Sequence, residues 1–379
     1  MDFIVIGGGI CGLTTAIALI RSGHRVRVFE AAKELREAGA GVVLGTNAMR
    51  ALHALGIHDA VKASGSEITS MSLCEANSVP IAEMDTLKFA QLSGFSNVAV
   101  HRADLQRILL EHLPRATVQL GSVFERFEQR DEQVTAYFAD NGRATADGLL
   151  AADGIRSRAR FQVFPNSFPR FAGYTCWRGV VDGSALRLPA GRSFEFWGGV
   201  HRFGYVPLAA GQVYWYACTN SPVPNNPVFS GWRIGDLQRH FAGFASPVPE
   251  LLARTPDDRL LWNDILDIKP VKNFADGRVL LLGDAAHATT PNLGQGAGQA
   301  VEDAAILSRC LQGTRALPQC FLEFDRQRRS RTTKIVNMSW QLGKMAHLKS
   351  PFLSNLRNMA MRRMPRRMRE RQMAFLNQG

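Results

Sequence analysis

The stretch Asp2-Phe3-Ile4-Val5-Ile6-Gly7-Gly8-Gly9-Ile10-Cys11-Gly12, continued through Leu13–Arg21 and Ser22-Gly23-His24 to Arg25-Val26-Arg27-Val28-Phe29-Glu30, decides the fold. Its opening apolar run suits a buried parallel strand. Leu13–Arg21 is rich in Ala, Leu and Ile and predicts a helix, which Ser22-Gly23 stops. Arg25–Phe29 alternates as a second strand and ends on an acid. The order strand, glycine turn, helix, strand, acid is a βαβ unit of about thirty residues. Gly7 permits the tight turn, Gly9 lets backbone approach a pyrophosphate, and Gly12 lets helix and sheet pack closely. Amides at the helix N-terminus then favour an anion. Glu30 stands where a carboxylate accepts hydrogen bonds from an adenosine ribose, and an acid there opposes a 2′-phosphate. NAD or FAD is therefore expected rather than NADP.

Outward from this unit the character changes. Residues 68–99 and 168–267 carry short alternating runs broken by Gly, Pro and Asn, among them Phe194–Trp197, Arg202–Leu208 and Gln212–Thr219. They predict antiparallel strands. Five of the six tryptophans fall between 177 and 262. Residues 102–163 return to helix and strand alternation, Arg278–Leu282 reads as a buried strand, and helical patterns fill 299–346. The expected fold is α/β with an α+β insert. A Rossmann-like dinucleotide-binding domain is assigned to 1–67, 100–167 and 268–323. A mainly antiparallel β substrate domain takes 68–99 and 168–267, and a basic helical segment takes 324–379.

Composition excludes several classes. The 379 residues are 46% hydrophobic and 21% charged, which rules out a disordered chain. No apolar run reaches the roughly 18 residues of a membrane span, and no secretory signal is read at the start. Net charge is +12, but 14 Lys/Arg against 3 Asp/Glu lie between Glu323 and Gly379, so the body is nearly neutral. That localised basicity argues against a nucleic-acid partner, which would call for positive charge spread over a working face. Six scattered cysteines show no zinc or disulfide spacing and predict reduced thiols in a cytoplasmic protein. No metal site is expected: His287 has no partner at ligand spacing.

Two further segments matter. Leu149–Ala152 runs as a strand into Asp153-Gly154, with Ser157 near the start of a basic helix that contains Arg160. Leu282-Gly283-Asp284 ends a strand; Pro291 and then Gly294-Gln295-Gly296-Ala297-Gly298 open a helix reaching Glu302-Asp303. Asp284 is suited to a polyol, and the glycine turn is a second anion-favouring helix start.

With Gly7/Gly9/Gly12 and Glu30, His101-Arg102-Ala103-Asp104-Leu105, Asp153-Gly154 with Arg160, and Gly283-Asp284 with Pro291 and Gly294-Gln295-Gly296, the sequence resembles the single-component, class A flavoprotein monooxygenases, similar to 4-hydroxybenzoate and salicylate hydroxylases. The resemblance covers about the first 330 residues. It implies tightly bound FAD with NADH or NADPH as transient co-substrate, and hydroxylation or epoxidation of a small aromatic or heteroaromatic substrate by O2 through a flavin C4a-hydroperoxide. It implies a cofactor site of Gly7, Gly9, Cys11, Gly12, Glu30, Ala31, Val43, Arg102, Val123, Asp153, Asp284, Pro291, Gly294, Gln295, Gly296, Ala297 and Gly298. Glu30 would hold the ribose, Val123, in a strand after the Arg102 helix, the adenine, Arg102 the ribityl–pyrophosphate region, Asp284 the ribityl chain, and Gly294–Gly298 the pyrimidine, with the Val43 backbone bordering the isoalloxazine. Cys11 and Gln299 depart from residues frequent in the family. Arg202 and Tyr214, on successive predicted strands, resemble a substrate-contacting pair in bacterial FAD-dependent urate hydroxylase. A structural salt bridge and a strand aromatic remain the alternative reading. Tyr174 and Trp177 either line the same pocket or belong to the core.

Alternatives on the same fold are an FAD reductase or oxidase without oxygen insertion, and a flavin-binding sensor without turnover. The Arg-rich run 351–376, broken by Pro365, reads either as a docked closing helix or as a basic amphipathic anchor making peripheral contact with a membrane.

Overall fold

The computed structural model describes residues 1–35 and 40–377. Strand β1 (Asp2–Ile6) is buried from Phe3 onward, so its apolar run packs on both faces. Helix α1 (Ile10–Arg21) starts ahead of the apolar run at Leu13 and buries Cys11–Leu19. Strand β2 (Arg25–Phe29) lies parallel to β1 in register Phe3 to Val26. The parallel set continues with Gly148–Ala151 beside β1, Val279–Leu281 beyond it, and Val118–Gln119 next to β2. Ala275–Asp276 closes one edge antiparallel, giving six strands.

A second sheet has seven strands, ordered Leu261–Ile268, Pro169–Asp182, Gln212–Asn220, His201–Pro207, Arg192–Gly198, Ser70–Glu75 and Pro80–Asp85. Its pairs are antiparallel except Arg192–Gly198 with Ser70–Glu75, which run parallel. The sheet is thus mainly antiparallel, as expected, and the parallel pair arises because Ser70–Glu75 arrives from the distant 66–85 segment rather than through a hairpin. Side-chain alternation gives this sheet two faces. On one, Trp177, Phe203 and Trp215 pack against helices Ile234–His240 and Val248–Ala253. On the other stand Cys176, Arg178, Arg202, Tyr214, Tyr216 and Cys218 in adjoining register positions.

A three-stranded sheet places β3 (Gly41–Leu44) beside Asn97–His101 and Ser66–Ile68. It is followed by helix α2 (Thr46–Ala54). Another three-stranded sheet is formed by Phe124–Arg130, Gln133–Phe138 and Arg143–Ala146. Val123 stands just before the first of these, not within a strand as expected, although its carbonyl accepts from Ala139 N at 2.9 Å. The range expected to hold strands also contains helix Leu87–Ser93 and the short helix Pro227–Ser230.

Two helices, Gly296–Cys310 and Leu317–Ala346, divide the helical stretch 299–346 between them. Beyond them Pro351–Arg363 and Arg366–Asn377 are separate helices, because Pro365 lacks the amide needed to continue the first. Both dock. Arg362 pairs with Glu75 at 2.6 Å, Lys88 with Glu370 at 2.8 Å, and Arg331 donates to the Phe375 and Leu376 carbonyls at 2.7 and 3.1 Å. No helix among the described residues is long and apolar enough to cross a membrane.

Candidate active site

The first turn is built of glycine because nothing else fits. Gly7 has φ +103°, and a Cβ there would fall 2.4 Å from the Ala152 carbonyl oxygen. At Gly12 a Cβ would lie 1.9 Å from the Gly7 oxygen, so this residue sets how closely α1 approaches β1. A Cβ on Gly9, by contrast, would meet no atom within 4 Å: the space over the start of α1 is open. Glu30 closes the turn, accepting from Gly8 N at 2.6 Å and Ala32 N at 2.8 Å. A carboxylate offers roughly four acceptor positions, so two remain for hydroxyl donors. Ala31 beside it is exposed.

The second turn follows Val279–Leu281. Gly283 has φ +53°, and a Cβ on it would lie 2.8 Å from Cys11 Sγ, which ties this turn to α1. Cys11 is thus a small buried filler between the two turns. Asp284 heads a single helical turn and is open to solvent while protein surrounds it on most sides. These surroundings push its pKa up, opposed by His287, Arg102 and Arg160. Neither the Asp284 carboxylate nor the exposed Arg102 guanidinium has a hydrogen-bond partner among the described residues. Both are thereby available to a polyol phosphate ligand. Asp153, pushed up by burial, accepts from Ala159 N at 3.3 Å through one oxygen and leaves the other buried and unpaired. Arg160 is fully buried and donates to the Ala285 and Ile155 carbonyls at 3.1 and 2.5 Å, strapping the Asp153 loop to the Asp284 turn.

The third turn runs from Pro291 through Gly294, which has φ +63° and where an added Cβ would meet nothing within 4 Å. Gln295 caps helix Gly296–Cys310, whose first amides lie at Gly296, Ala297 and Gly298. The Gln295 and Gln299 side chains turn inward. Gln295 Oε1 accepts from Asn47 at 3.2 Å and from Gln299 at 3.0 Å. Gln299 in turn accepts from Arg328 at 2.8 Å. The helix start therefore presents backbone.

Beneath these turns lies a buried ionic cluster. Fully buried Arg328 reaches Asp303 at 2.6 Å and Glu302 at 2.7 Å. Asp303 also pairs with His287 at 2.7 Å and accepts from Gly283 N at 2.8 Å. Burial alone would raise the Asp303 carboxyl; His287 and Arg328 hold it down at about 2. His287 thus acts on the Gly283–Asp284 backbone through Asp303. Among the described residues no group of three or more His, Cys, Asp or Glu is arranged to hold a metal.

The seven-stranded sheet supplies the remaining wall. Arg202 bonds Glu195 at 2.7 Å and reaches across to Asn292 Oδ1 at 2.7 Å, in the turn just before Gly294. Glu195 also accepts from Trp197 at 2.5 Å and Tyr216 at 2.6 Å. Tyr174 donates to Asn292 at 3.1 Å and stacks on His347 at 4.1 Å. Burial depresses the His347 pKa well below its usual value, so that ring is neutral. Tyr214 packs against β3, where a Cβ on Gly41 would come within 2.6 Å of it, and shares a small apolar cluster with Val43. Arg202 and Tyr214 therefore share one face, one at Asn292 and the other at β3. Trp177 does not join them: it points to the opposite face and stacks on Trp232 at 5.1 Å as core. Sequence reasoning misses Glu195, Asn292, Tyr216 and His347; of these only Asn292 lies inside a segment that the motifs single out.

A parallel sheet with glycine-rich turns at two strand ends and a third at a helix start, around an open carboxylate and walled by a polar sheet face, defines an FAD-dependent monooxygenase of the aromatic-hydroxylase class. The family model described as "FAD binding domain" matches residues 1–218 and 256–339, and the chain belongs to that family. It is 36% identical to an aurachin C monooxygenase/isomerase of Stigmatella aurantiaca over 96% of this chain and 94% of that protein. It is 34% identical to an FAD-dependent urate hydroxylase of Klebsiella pneumoniae over 89% of this chain and 88% of the relative. The crystal structure of Klebsiella pneumoniae HpxO complexed with FAD and uric acid superposes with a TM-score of 0.92 at 30% identity, covering 100% of this chain and 96% of that one.

Proposed function

We propose that FAD lies along the three turns and that a small polar aromatic or heteroaromatic substrate rests on the sheet face between Arg202 and Tyr214. The observation that carries this is the open set of groups without partners among the described residues: the space over Gly9, the Asp284 carboxylate and Arg102 guanidinium, and the bare Gly294 turn. Bound FAD, reduced by NADH or NADPH, supplies the activation of oxygen. The chain's part is to hold and shield. Glu30 and Ala31 take the adenosine end, with Val123 beside the adenine. Gly7, Gly9, Cys11 and Gly12 form the pyrophosphate turn, Arg102, Asp153 and Asp284 the middle, and Pro291 with Gly294–Gly298 the ring end against Val43. The helix N-terminus at Gly296 favours negative charge there by about 1 kcal/mol. Arg202 is already charge-balanced by Glu195, so it serves the substrate as an oriented donor. Tyr174, Tyr214 and Tyr216, whose pKa values burial raises, remain protonated donors.

The test is NAD(P)H oxidation by the purified yellow protein with urate, salicylate and quinolones. A monooxygenase gives substrate-stimulated oxidation coupled to an oxygenated product. Oxidation that needs no substrate and yields no such product supports a reductase or oxidase, and neither signal supports a sensor.

A second reading concerns helix Pro351–Arg363. Its outer side exposes Phe352, Leu353, Leu356 and Met359, from 74% down to 41% exposed. Between Arg326 and Arg369 the sequence has thirteen Lys/Arg and no acid. An apolar ridge among cations fits the surface of an anionic bilayer. Co-sedimentation with anionic but not neutral vesicles, lost in Phe352→Ser/Leu356→Ser, supports this contact; binding indifferent to lipid charge overturns it.

A further inference from the structure

All six cysteines are free and buried, but one pair differs from the rest. Cys176 and Cys218 stand directly opposite each other on antiparallel strands Pro169–Asp182 and Gln212–Asn220. Opposed residues in such a pair have Cα atoms about 4.5 or 5.5 Å apart. Either spacing lies within the range a disulfide spans. The pair sits on the face that carries Arg202 and Tyr214. Arg178 is two residues from Cys176 on one strand, and Arg202 is the cross-strand neighbour of Cys218. Arg178 has Asn263 Oδ1 at 3.3 Å and no carboxylate partner among the described residues.

We infer that Cys176 and Cys218 form a peroxide-reactive dithiol beside the substrate face, oxidised reversibly to a cross-strand disulfide. Burial works against ionisation of Cys176, whose Sγ lies 3.4 Å from the Trp177 carbonyl oxygen, but hydrogen bonding with Cys218 and the Arg178 and Arg202 guanidinia bring its pKa below the usual thiol value. Cys218 is held well above its usual value, first by that same hydrogen bond and then by burial. One sulfur is thus the nucleophile and the other the reserve proton donor. The oxidant is hydrogen peroxide, which reduced flavin and oxygen yield whenever no substrate takes up the oxygen. The Cys176 thiolate attacks one peroxide oxygen and the O–O bond breaks, leaving a sulfenic acid and hydroxide. Cys218 then attacks that sulfur, the S–O bond breaks, and its proton joins the departing hydroxide. In sum two thiols and one peroxide become one disulfide and two waters, the sulfurs losing the two electrons that the peroxide gains.

The other close pair provides an internal control. Cys320 also acts on Cys310, but burial and then Glu323 push the Cys310 thiol to about 11, so it stays protonated.

The experiment treats the FAD-loaded protein with hydrogen peroxide, blocks remaining thiols under denaturing conditions, counts them and maps the peptides. The expected result is loss of two of the six thiols, a 176–218 linkage, and full recovery with dithiothreitol. The rate should rise with pH as the Cys176 thiol, lowered by its cationic neighbours, ionises. In Cys218→Ser the reaction should stop at a sulfenic acid on Cys176 that dimedone traps; a thiol pair with only a packing role would not give this adduct. Six surviving thiols, a 310–320 linkage, or equal oxidation of Cys218 in Cys176→Ser overturns the assignment. Because added peroxide is the oxidant, this outcome is independent of whether any aromatic substrate is found.

Discussion

Replacing Asp303 with Asn removes a charge from the floor of the site without removing volume. In the native protein this carboxylate meets Arg328 at 2.6 Å, His287 at 2.7 Å and Gly283 N at 2.8 Å, and it is fully buried. Its pKa of about 2 against an ordinary 3.8 corresponds to about 2 kcal/mol of stability at neutral pH. An amide also turns an N–H2 toward groups that donate, and Arg328 is left with Glu302 as its one carboxylate partner among the described residues, so the total cost reaches about 3–5 kcal/mol. The sign in pH follows from a depressed carboxyl. The contribution is fully present above the unfolded value near 4 and is lost as pH falls toward 2. The gap between wild type and Asp303→Asn should stay level from pH 8 to 5 and narrow below about 4. Urea unfolding at saturating FAD measures it, since bound flavin adds its own stabilisation and must be held constant. Because Asp303 anchors Gly283 N, the variant should also retain less flavin. A variant within about 0.5 kcal/mol of wild type at pH 7, or a gap unchanged at pH 3, refutes the reasoning.

Gly9→Ala should leave the melting temperature of the flavin-free protein unchanged, since its Cβ meets no protein atom, yet weaken FAD binding by about tenfold or more. Gly12→Ala should instead lower both stability and flavin content, because its Cβ clashes with the Gly7 oxygen; circular dichroism and absorbance after gel filtration separate the two patterns. Glu30→Gln sets an amide N–H2 against Gly8 N or Ala32 N and should weaken FAD binding by about 1–3 kcal/mol, read by flavin fluorescence titration. Glu195→Gln leaves Arg202 without its counter-ion and should cut substrate-stimulated NAD(P)H oxidation about tenfold or more at unchanged flavin content. Unaltered kinetics there would remove Arg202 from the substrate face.

The glycine turns and parallel strands are legible because each obeys a local rule. Gly7, Gly12 and Gly283 are dictated by contacts within a few residues of a strand end, and β1 announces its burial by an unbroken apolar run. What stays hidden depends on distant partners. Only Trp197, two residues along the same strand, is local to Glu195; nothing distinguishes Glu195 from a surface acid until Arg202 and Tyr216 arrive from neighbouring strands. Arg328 lies in a strongly basic helix, and only the fold shows that it is buried between Glu302 and Asp303. Trp177 cannot be assigned to a side of its strand from sequence, because a one-residue shift in register exchanges the faces. The parallel Arg192–Gly198 and Ser70–Glu75 pair joins segments more than a hundred residues apart, which alternation cannot reveal.

The Arg202–Asn292 bond has a mechanical consequence. Its donor belongs to the large sheet and its acceptor to the bend that leads into Gly294. A guest that bids for the same guanidinium must loosen that bend, and a bend that shifts must tug the guanidinium. Arrival on the platform would therefore be felt at the opposite wall through Asn292, which Tyr174 of the same sheet also holds, with no hinged arm needed to carry the message.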